Sequence, residues 1–394
     1  MTIEHIETIH LRFEYPPERR FTYAGGVCDA RLTSLVLVHA DTGQVGIGSG
    51  YTHPGLLELV VKRQLEPLLI GSDPREIESL WNTMYGITRW YGRKGAAMSA
   101  LGALDMAFWD LRGKALGKTV RSLLGGTRDT CPAYASALLW SDPPKLADEA
   151  RSYIEKGFRR VKMRCGRNGE YDTAAVHAVR DAIGLNNDLI VDGSMRYSLD
   201  EARRMGKFLA ENKVFWFEEP FTPEDIDSFV ALRGTVGVRL AAGENEFGTQ
   251  GFRELIRAKA VDIVQPDASR CGGISETWKV AKVAGDAGLG VATHTWSDAV
   301  TVVANAQIVS AASNGITVEV DQTGNPFIEE LLVEPLRVRD GELQLSRAPG
   351  LGIELNRSVI ERHRLKDPLA IPDGLYSDMA FGRGTFKPAV PYRR

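Results

Sequence analysis

Cysteine is scarce in this 394-residue chain: Cys28, Cys131, Cys165 and Cys271 are scattered, with no C-x-x-C pair and no metal-like spacing. That excludes a disulfide framework and a thiolate metal centre, and makes a reduced, cytoplasmic setting the expectation. The four thiols are expected to act as small buried hydrophobes. Long apolar runs are missing too; no stretch approaches the roughly 18 residues a helical span needs, so nothing here is expected to cross a membrane. The first residues, MTIEHIETIHLRFEYPPERR, alternate in polarity and carry early acids where a signal peptide would have a basic start and an apolar core. There is also no excess of one charge. Lys and Arg number 48 against 51 Asp and Glu, for a formal net charge of -3. Without a basic block there is no electrostatic reason to expect nucleic acid or an anionic membrane as partner. A small charged substrate has to be held by local groups.

What is present is a rhythm. From residue 130 onward, short apolar runs alternate with amphipathic helical segments. The strand candidates are CPAYASAL (131–138), FRRVKMR (158–164), DLIVDGS (188–194), VFWFEEP (214–220), RLAAGE (239–244), VDIVQPD (261–267), GVATH (290–294) and GITVEVD (315–321). Intervening segments such as SLDEARRMGKFLAEN open on a capping residue and close on Gly or Asn. Eight β/α units spaced about 25 residues apart predict a TIM-type (β/α) barrel in preference to an open doubly wound sheet. Before it, LTSLVLVHADTGQVGIGSGY reads as an antiparallel hairpin, and RKGAAMSALGALDMAFWDLRGKALG as a long helix with small residues along one side. The expected organisation is an α+β capping domain over 1–125, the barrel over 126–345, and a segment over 346–394 that packs back on the capping domain.

Barrel enzymes build their sites at the C-terminal ends of the strands. Read there, strands two to eight present Lys162 and Arg164, Asp192, Glu218, Glu244, Asp267, His294 and Glu319. A charged group that recurs once per unit in the same phase converges on one mouth. In the VKMR run, Lys162 and Arg164 stand two apart and therefore share a face. Asp192, Glu218 and Glu244 come from three consecutive strands roughly 4.8 Å apart, and three such carboxylates cannot all stay ionised without a compensating cation. Hard oxygen donors with few nitrogens or sulfurs favour Mg²⁺. Glu219, next in the chain after Glu218, is expected to point to the other side in a structural role. Asp267 and His294 end adjacent strands, a spacing that lets the carboxylate hold one imidazole nitrogen and leave the other for acid/base work.

The stretches GAAMSALGALDMAFWDLRGKALGK, VKMR, VDGS, WFEEP, AGEN, QPDASRCGG, ATH and VE together resemble the mandelate racemase-like branch of the enolase superfamily. The resemblance covers most of the chain. It implies Asp192, Glu218 and Glu244 as Mg²⁺ ligands and Asp267 with His294 as the catalytic dyad. Glu319 matches a glutamate that contacts the substrate carboxylate, and Lys162 the first lysine of a K-x-K motif that helps to neutralise it. Superfamily sites of this kind work with a Lys or His base and one or two Mg²⁺ ions. The chain departs from the pattern at Arg164, where mandelate racemase has a second lysine serving as a base. An arginine keeps its proton, so Arg164 reads as an anion or hydroxyl clamp.

Removal of a proton α to a carboxylate needs positive charge beside the developing enolate. A racemase also needs a base on each face of the carbon, and only His294 is an obvious one. The single base favours a dehydratase, and the resemblance implies the substrate: many members of that branch dehydrate sugar acids to 2-keto-3-deoxy products. The expectation is therefore an Mg²⁺-dependent dehydratase of a sugar acid (aldonate or aldarate). In one alternative Arg164 or Lys162 removes the proton and His294 is the acid. Others are a racemase or epimerase of a 2-hydroxy acid at the same site, or a barrel without turnover. Polar and aromatic segments of the cap offer Tyr23 and Trp90 as further substrate contacts, and the barrel loops offer Trp296. A homo-oligomer is expected.

Overall fold

The computed structural model describes residues 1–23, 26–371, 375–376 and 379–380. In the cap, β1 (Ile3–Glu14) pairs antiparallel with β4 (Ala30–Ala40), which turns back into β5 (Val45–Gly50). A second ribbon joins β2 (Phe21–Tyr23) to β3 (Gly26–Cys28). The 21-residue helix Ala96–Leu116 lies across β5. The glycines of the VGIGSG strand permit this, because a Cβ at Gly46 or Gly48 would overlap the carbonyl oxygens of Ala107 and Ala103. The helix is buried nearly all round: its other side meets the barrel helix Gly273–Asp286, where Trp109 donates to Ser275 Oγ at 2.9 Å and Asp105 accepts from the same serine.

The barrel strands are β6 (Thr130–Ser136), β7 (Arg160–Arg164), β8 (Asp188–Asp192), β9 (Val214–Glu218), β10 (Leu240–Ala242), β11 (Ile263–Val264), β12 (Gly290–Thr293) and β13 (Gly315–Asp321). They pair in parallel and in order, and β13 closes on β6. All eight fall within or beside the runs that the sequence singles out. Residues facing outward, such as Val161, Met163, Leu189 and Val191, form the core shared with the helices. Those facing inward form a second, smaller cluster of Tyr134, Ile190, Trp216, Ala241, Ile263 and Ala292 that plugs the lower barrel. The barrel interior is thus packed with apolar side chains beneath the charged groups of its upper end.

The helices between strands start as their sequences dictate: Ser198 and Glu201 form a reciprocal capping box, and Asn168 caps the helix Gly169–Ile183. After the barrel, the helix Arg357–His363 packs on β1, Leu11 bridges to Arg364, and the short strand Met379–Ala380 pairs with β3. All four cysteines are buried. Among the described residues no helix is long and apolar enough to cross a membrane.

Candidate active site

Alternation along β7 buries Val161 and Met163 among the helices and turns Lys162 and Arg164 inward. Register then sets their neighbours. Arg164 lies beside Asp192, and Asp192 beside Glu218, so these three strand ends stand level at the mouth. Glu244 follows Gly243, whose φ of +130° is a conformation glycine adopts without strain. Ser194 and Met195 follow Asp192 in left-handed conformations, and Ser194 donates its backbone N–H to Asp192 Oδ1 at 2.6 Å.

Asp192, Glu218 and Glu244 offer carboxylate oxygens that all lie within 4.8 Å of one another. Glu244 Oε2 is buried and has no hydrogen-bond donor. Three hard oxygens converging on one point, one of them unsatisfied, fit a divalent cation of the Mg²⁺ class. The positive charges already present are built in below and beside them. Lys162 is fully buried, with Nζ 2.6 Å from Glu218 Oε1, 2.7 Å from Glu319 Oε1 and 3.9 Å from Asp192 Oδ2. Arg164 pairs with Asp192. Glu218 Oε2 also accepts from Trp216 Nε1 at 2.9 Å and Gln265 Nε2 at 2.8 Å. Burial alone would raise both glutamates, but the cations around them together outweigh it, Lys162 and Arg164 for both and His294 as well for Glu319: Glu218 is held below the ordinary carboxylate range and Glu319 is brought down to about 2. Lys162 is lifted above its usual value, because Glu218 and Glu319 overcome the cost of burying an ammonium.

Across the mouth, His294 Nδ1 is 2.8 Å from Asp267 Oδ2. Nε2 is turned toward the carboxylates, 3.8 Å from Glu244 Oε2 and 3.9 Å from Glu319 Oε2. Asp267 is itself fixed: its Oδ1 accepts from the Ser269 backbone N–H at 2.8 Å, Ser269 Oγ at 2.7 Å and Asn305 Nδ2 at 3.2 Å. Burial opposes the imidazolium, yet Glu244, Glu319 and Asp267 together raise His294 to about 9. Arg164 and His294 belong to β7 and to the end of β12, with β6 and β13 between them on one side and β8–β11 on the other. They face each other across the mouth. The Tyr51 ring from the cap stands 6.4 Å from the His294 ring, centroid to centroid.

The other residues singled out from sequence separate. Trp296 is buried beside the mouth, with the Arg164 guanidinium 5.2 Å from its ring centroid. Trp90 does not join the cluster: it is 81% exposed and lines a different groove, with Tyr85, Lys94, Arg253 and Arg257. The side chain of Tyr23 lies outside the described residues. Glu219 takes φ +31°, so strand alternation ends at Glu218. Its buried carboxylate accepts from Gly243 N at 3.2 Å and Asn245 Nδ2 at 2.8 Å, and burial with the charge of Glu244 pushes it up to about 8. Gln265 and Ser269 fall in the QPDASRCGG stretch and Asn305 in none, but all three show their roles only here, as partners of Glu218 and Asp267.

A closed (β/α)₈ barrel under an α+β cap, with three carboxylates, two cations and a His–Asp pair at its mouth, defines the enolase-superfamily class of barrel. The chain belongs to the mandelate racemase / muconate lactonizing enzyme family, matching its N-terminal domain over residues 11–125 and the enolase C-terminal domain-like family over 145–359. It is 35% identical to D-galactarolactone cycloisomerase of Agrobacterium fabrum over 93% of this chain and 100% of that protein. Arabinonate dehydratase of Saccharolobus solfataricus is 31% identical over 84% of this chain and 90% of its own length. The structure of L-talarate dehydratase from Polaromonas sp., complexed with Mg and L-glucarate, superposes with a TM-score of 0.81 at 28% identity, covering 93% of this chain and 98% of that one.

Proposed function

We propose that the chain is an Mg²⁺-dependent dehydratase of an aldonate or aldarate, forming a 2-keto-3-deoxy acid. The observation that carries the reading is the His294–Asp267 pair, with its outer nitrogen turned into the carboxylate cluster and an arginine, not a second base, across the mouth. Named dehydratases of sugar acids among the relatives support it.

Asp192, Glu218 and Glu244 would hold the ion, which supplies positive charge to the oxygens of a substrate carboxylate. The rest falls to the chain's own residues. With the Glu244 carboxylate that raises it offset by the ion's charge, His294 has Nε2 free of its proton. Nε2 then takes the proton from the carbon α to the carboxylate, while Asp267 holds the Nδ1 proton and stabilises the imidazolium. The electron pair of that C–H bond forms the enolate. It then expels the β-hydroxyl, to which His294 returns its proton, so that water leaves and the enol relaxes to the 2-keto acid. Arg164 stays charged throughout and clamps an oxygen on the opposite face. Lys162 and Glu319 set the charge beneath the carboxylate. The cap, expected over 1–125, closes the mouth and reads the distal hydroxyls.

The test is a panel of aldonates and aldarates incubated with the protein and Mg²⁺. Loss of one water with a carbonyl product supports the reading; epimerised but undehydrated product, or no reaction across the panel, overturns it. A second reading, a lactone or anhydro-sugar cycloisomerase, is favoured by the 35% identical galactarolactone and the 30% identical anhydrogalactonate cycloisomerases. It uses the same α-proton, but the departing oxygen is tethered in a ring, so the product has the mass of the substrate.

A further inference from the structure

Two guanidiniums lie over the ring of Trp296. The Arg164 Cζ is 5.2 Å from its ring centroid, and the Cζ of Arg31, from β4 of the cap, is 4.4 Å from it. Two cations at one indole repel each other unless each has its own anion, and here each does. Arg31 pairs with Asp321 at the end of β13, and Arg164 with Asp192 at the end of β8. Asp321 is braced in turn, accepting from Thr323 N at 2.8 Å and Asn325 Nδ2 at 3.2 Å. Arg31 and Asp321 are each 1% exposed and Trp296 is 3% exposed, so this chain of contacts is dry.

Lost water strengthens both the ion pair and the cation–π contact. It also means that tilting the indole would give up its contact with Arg31 with no water there to replace it. Arg164, by contrast, has long flexible torsions, and its carboxylate partner Asp192 is one of the oxygens that converge with Glu218 and Glu244. A clamp whose partner is shared with another cation needs a second support, and the Trp296 face supplies it.

We propose that Arg31 is a positioning residue: a cap side chain that locks Trp296, and through Trp296 holds Arg164 in the geometry needed to clamp the substrate. The inference rests on the reading of Arg164 as a substrate clamp given above. It extends that reading by making the cap a contributor to the barrel's own charged machinery.

Arg31→Lys keeps the charge facing Asp321 but loses the planar group that stacks. In a kinetic cycle with Arg164→Met, Arg31→Lys alone should raise KM for the acid sugar about tenfold, the worth of one desolvated cation–π contact, with little change in kcat. In the Arg164→Met background it should change KM less than twofold. Trp296→Leu should reproduce the coupled loss, and Trp296→Phe should rescue most of it; this pair replaces Arg31→Lys if that variant does not fold. An equal rise in KM in both backgrounds, or none in either, overturns the inference. The same cycle read by thermal melting without substrate needs no assigned reaction: the shifts should be non-additive, and additive shifts overturn the proposal even if the protein turns over none of the sugar acids.

Discussion

Asp267→Asn isolates the part of the site on which the proposed chemistry turns. Three donors converge on Asp267 Oδ1: the Ser269 backbone N–H, the Ser269 hydroxyl and the Asn305 amide. An asparagine must therefore keep its carbonyl oxygen there, since an NH₂ in that place would meet two fixed donors. Its amide nitrogen is then forced toward His294 Nδ1, where the carboxylate now sits at 2.8 Å. A donor facing Nδ1 makes that nitrogen the acceptor and moves the ring proton to Nε2, the nitrogen turned toward Glu244 and Glu319. The imidazole can then no longer accept the α-proton. A His base in the wrong tautomer costs roughly 10⁴ in kcat, or about 5 kcal/mol of activation free energy. The fold should survive, because the substitution is isosteric: it weakens the four charge-assisted hydrogen bonds of the carboxylate but also removes the cost of burying its charge. The assay is dehydration rate together with α-proton exchange in D₂O, with thermal melting as the control for folding. A variant that melts near wild type and keeps kcat within tenfold would refute the tautomer argument.

Three further outcomes follow from other parts of the structure. Glu218→Gln keeps the shape but removes a charge from the three-oxygen cluster, so bound Mg²⁺ measured by calorimetry should weaken at least about tenfold; undiminished binding would remove Glu218 from the ligand set. Burial raises Asp105 from 3.8 to about 7, with Ser275 hydrogen bonds only partly offsetting it, so the folded state keeps a proton the unfolded chain has released. Stability should fall as pH rises between those values, by about 4 kcal/mol at most, and Asp105→Asn should flatten that part of the melting-temperature profile; an unchanged slope would show that Asp105 is ionised in the fold. Trp90→Ala should leave kcat/KM within about twofold, since surface substitutions away from packed features cost little, and a changed substrate profile would place the exposed groove in the recognition path.

The site was legible from sequence to the extent that it follows the strand period. A parallel barrel delivers the C-terminal end of every strand to one mouth, so Asp192, Glu218, Glu244, Asp267 and His294 could be listed by their phase alone, and closure of β13 on β6 brings Lys162 within reach of Glu319. The rule fails where the backbone leaves the strand. Glu219 should sit opposite Glu218 by alternation, but its φ of +31° breaks the period at that residue, and the carboxylate ends beside Gly243 and Asn245, where the charge of Glu244 is felt. Trp90 was singled out by composition, an aromatic among basic residues in a loop; composition carries no direction, and the side chain faces solvent.

Arg31 shows a different kind of illegibility. In ARLTSLVLVHA it reads as an ordinary residue of a cap strand, and neither its neighbours nor its spacing marks it. Its anion, Asp321, lies 290 residues further on, and its indole partner belongs to a loop after β12. Local pattern can specify which residues reach the barrel mouth, because each strand solves that problem by itself. It cannot specify which cap residue locks them, because that depends on how the packed helix Ala96–Leu116 seats one sheet over the other. A charged side chain at 1% exposure in a cap strand needs a partner from somewhere, and here the partner lies in the barrel. The cap is thereby tied electrostatically to the strand that carries Glu319.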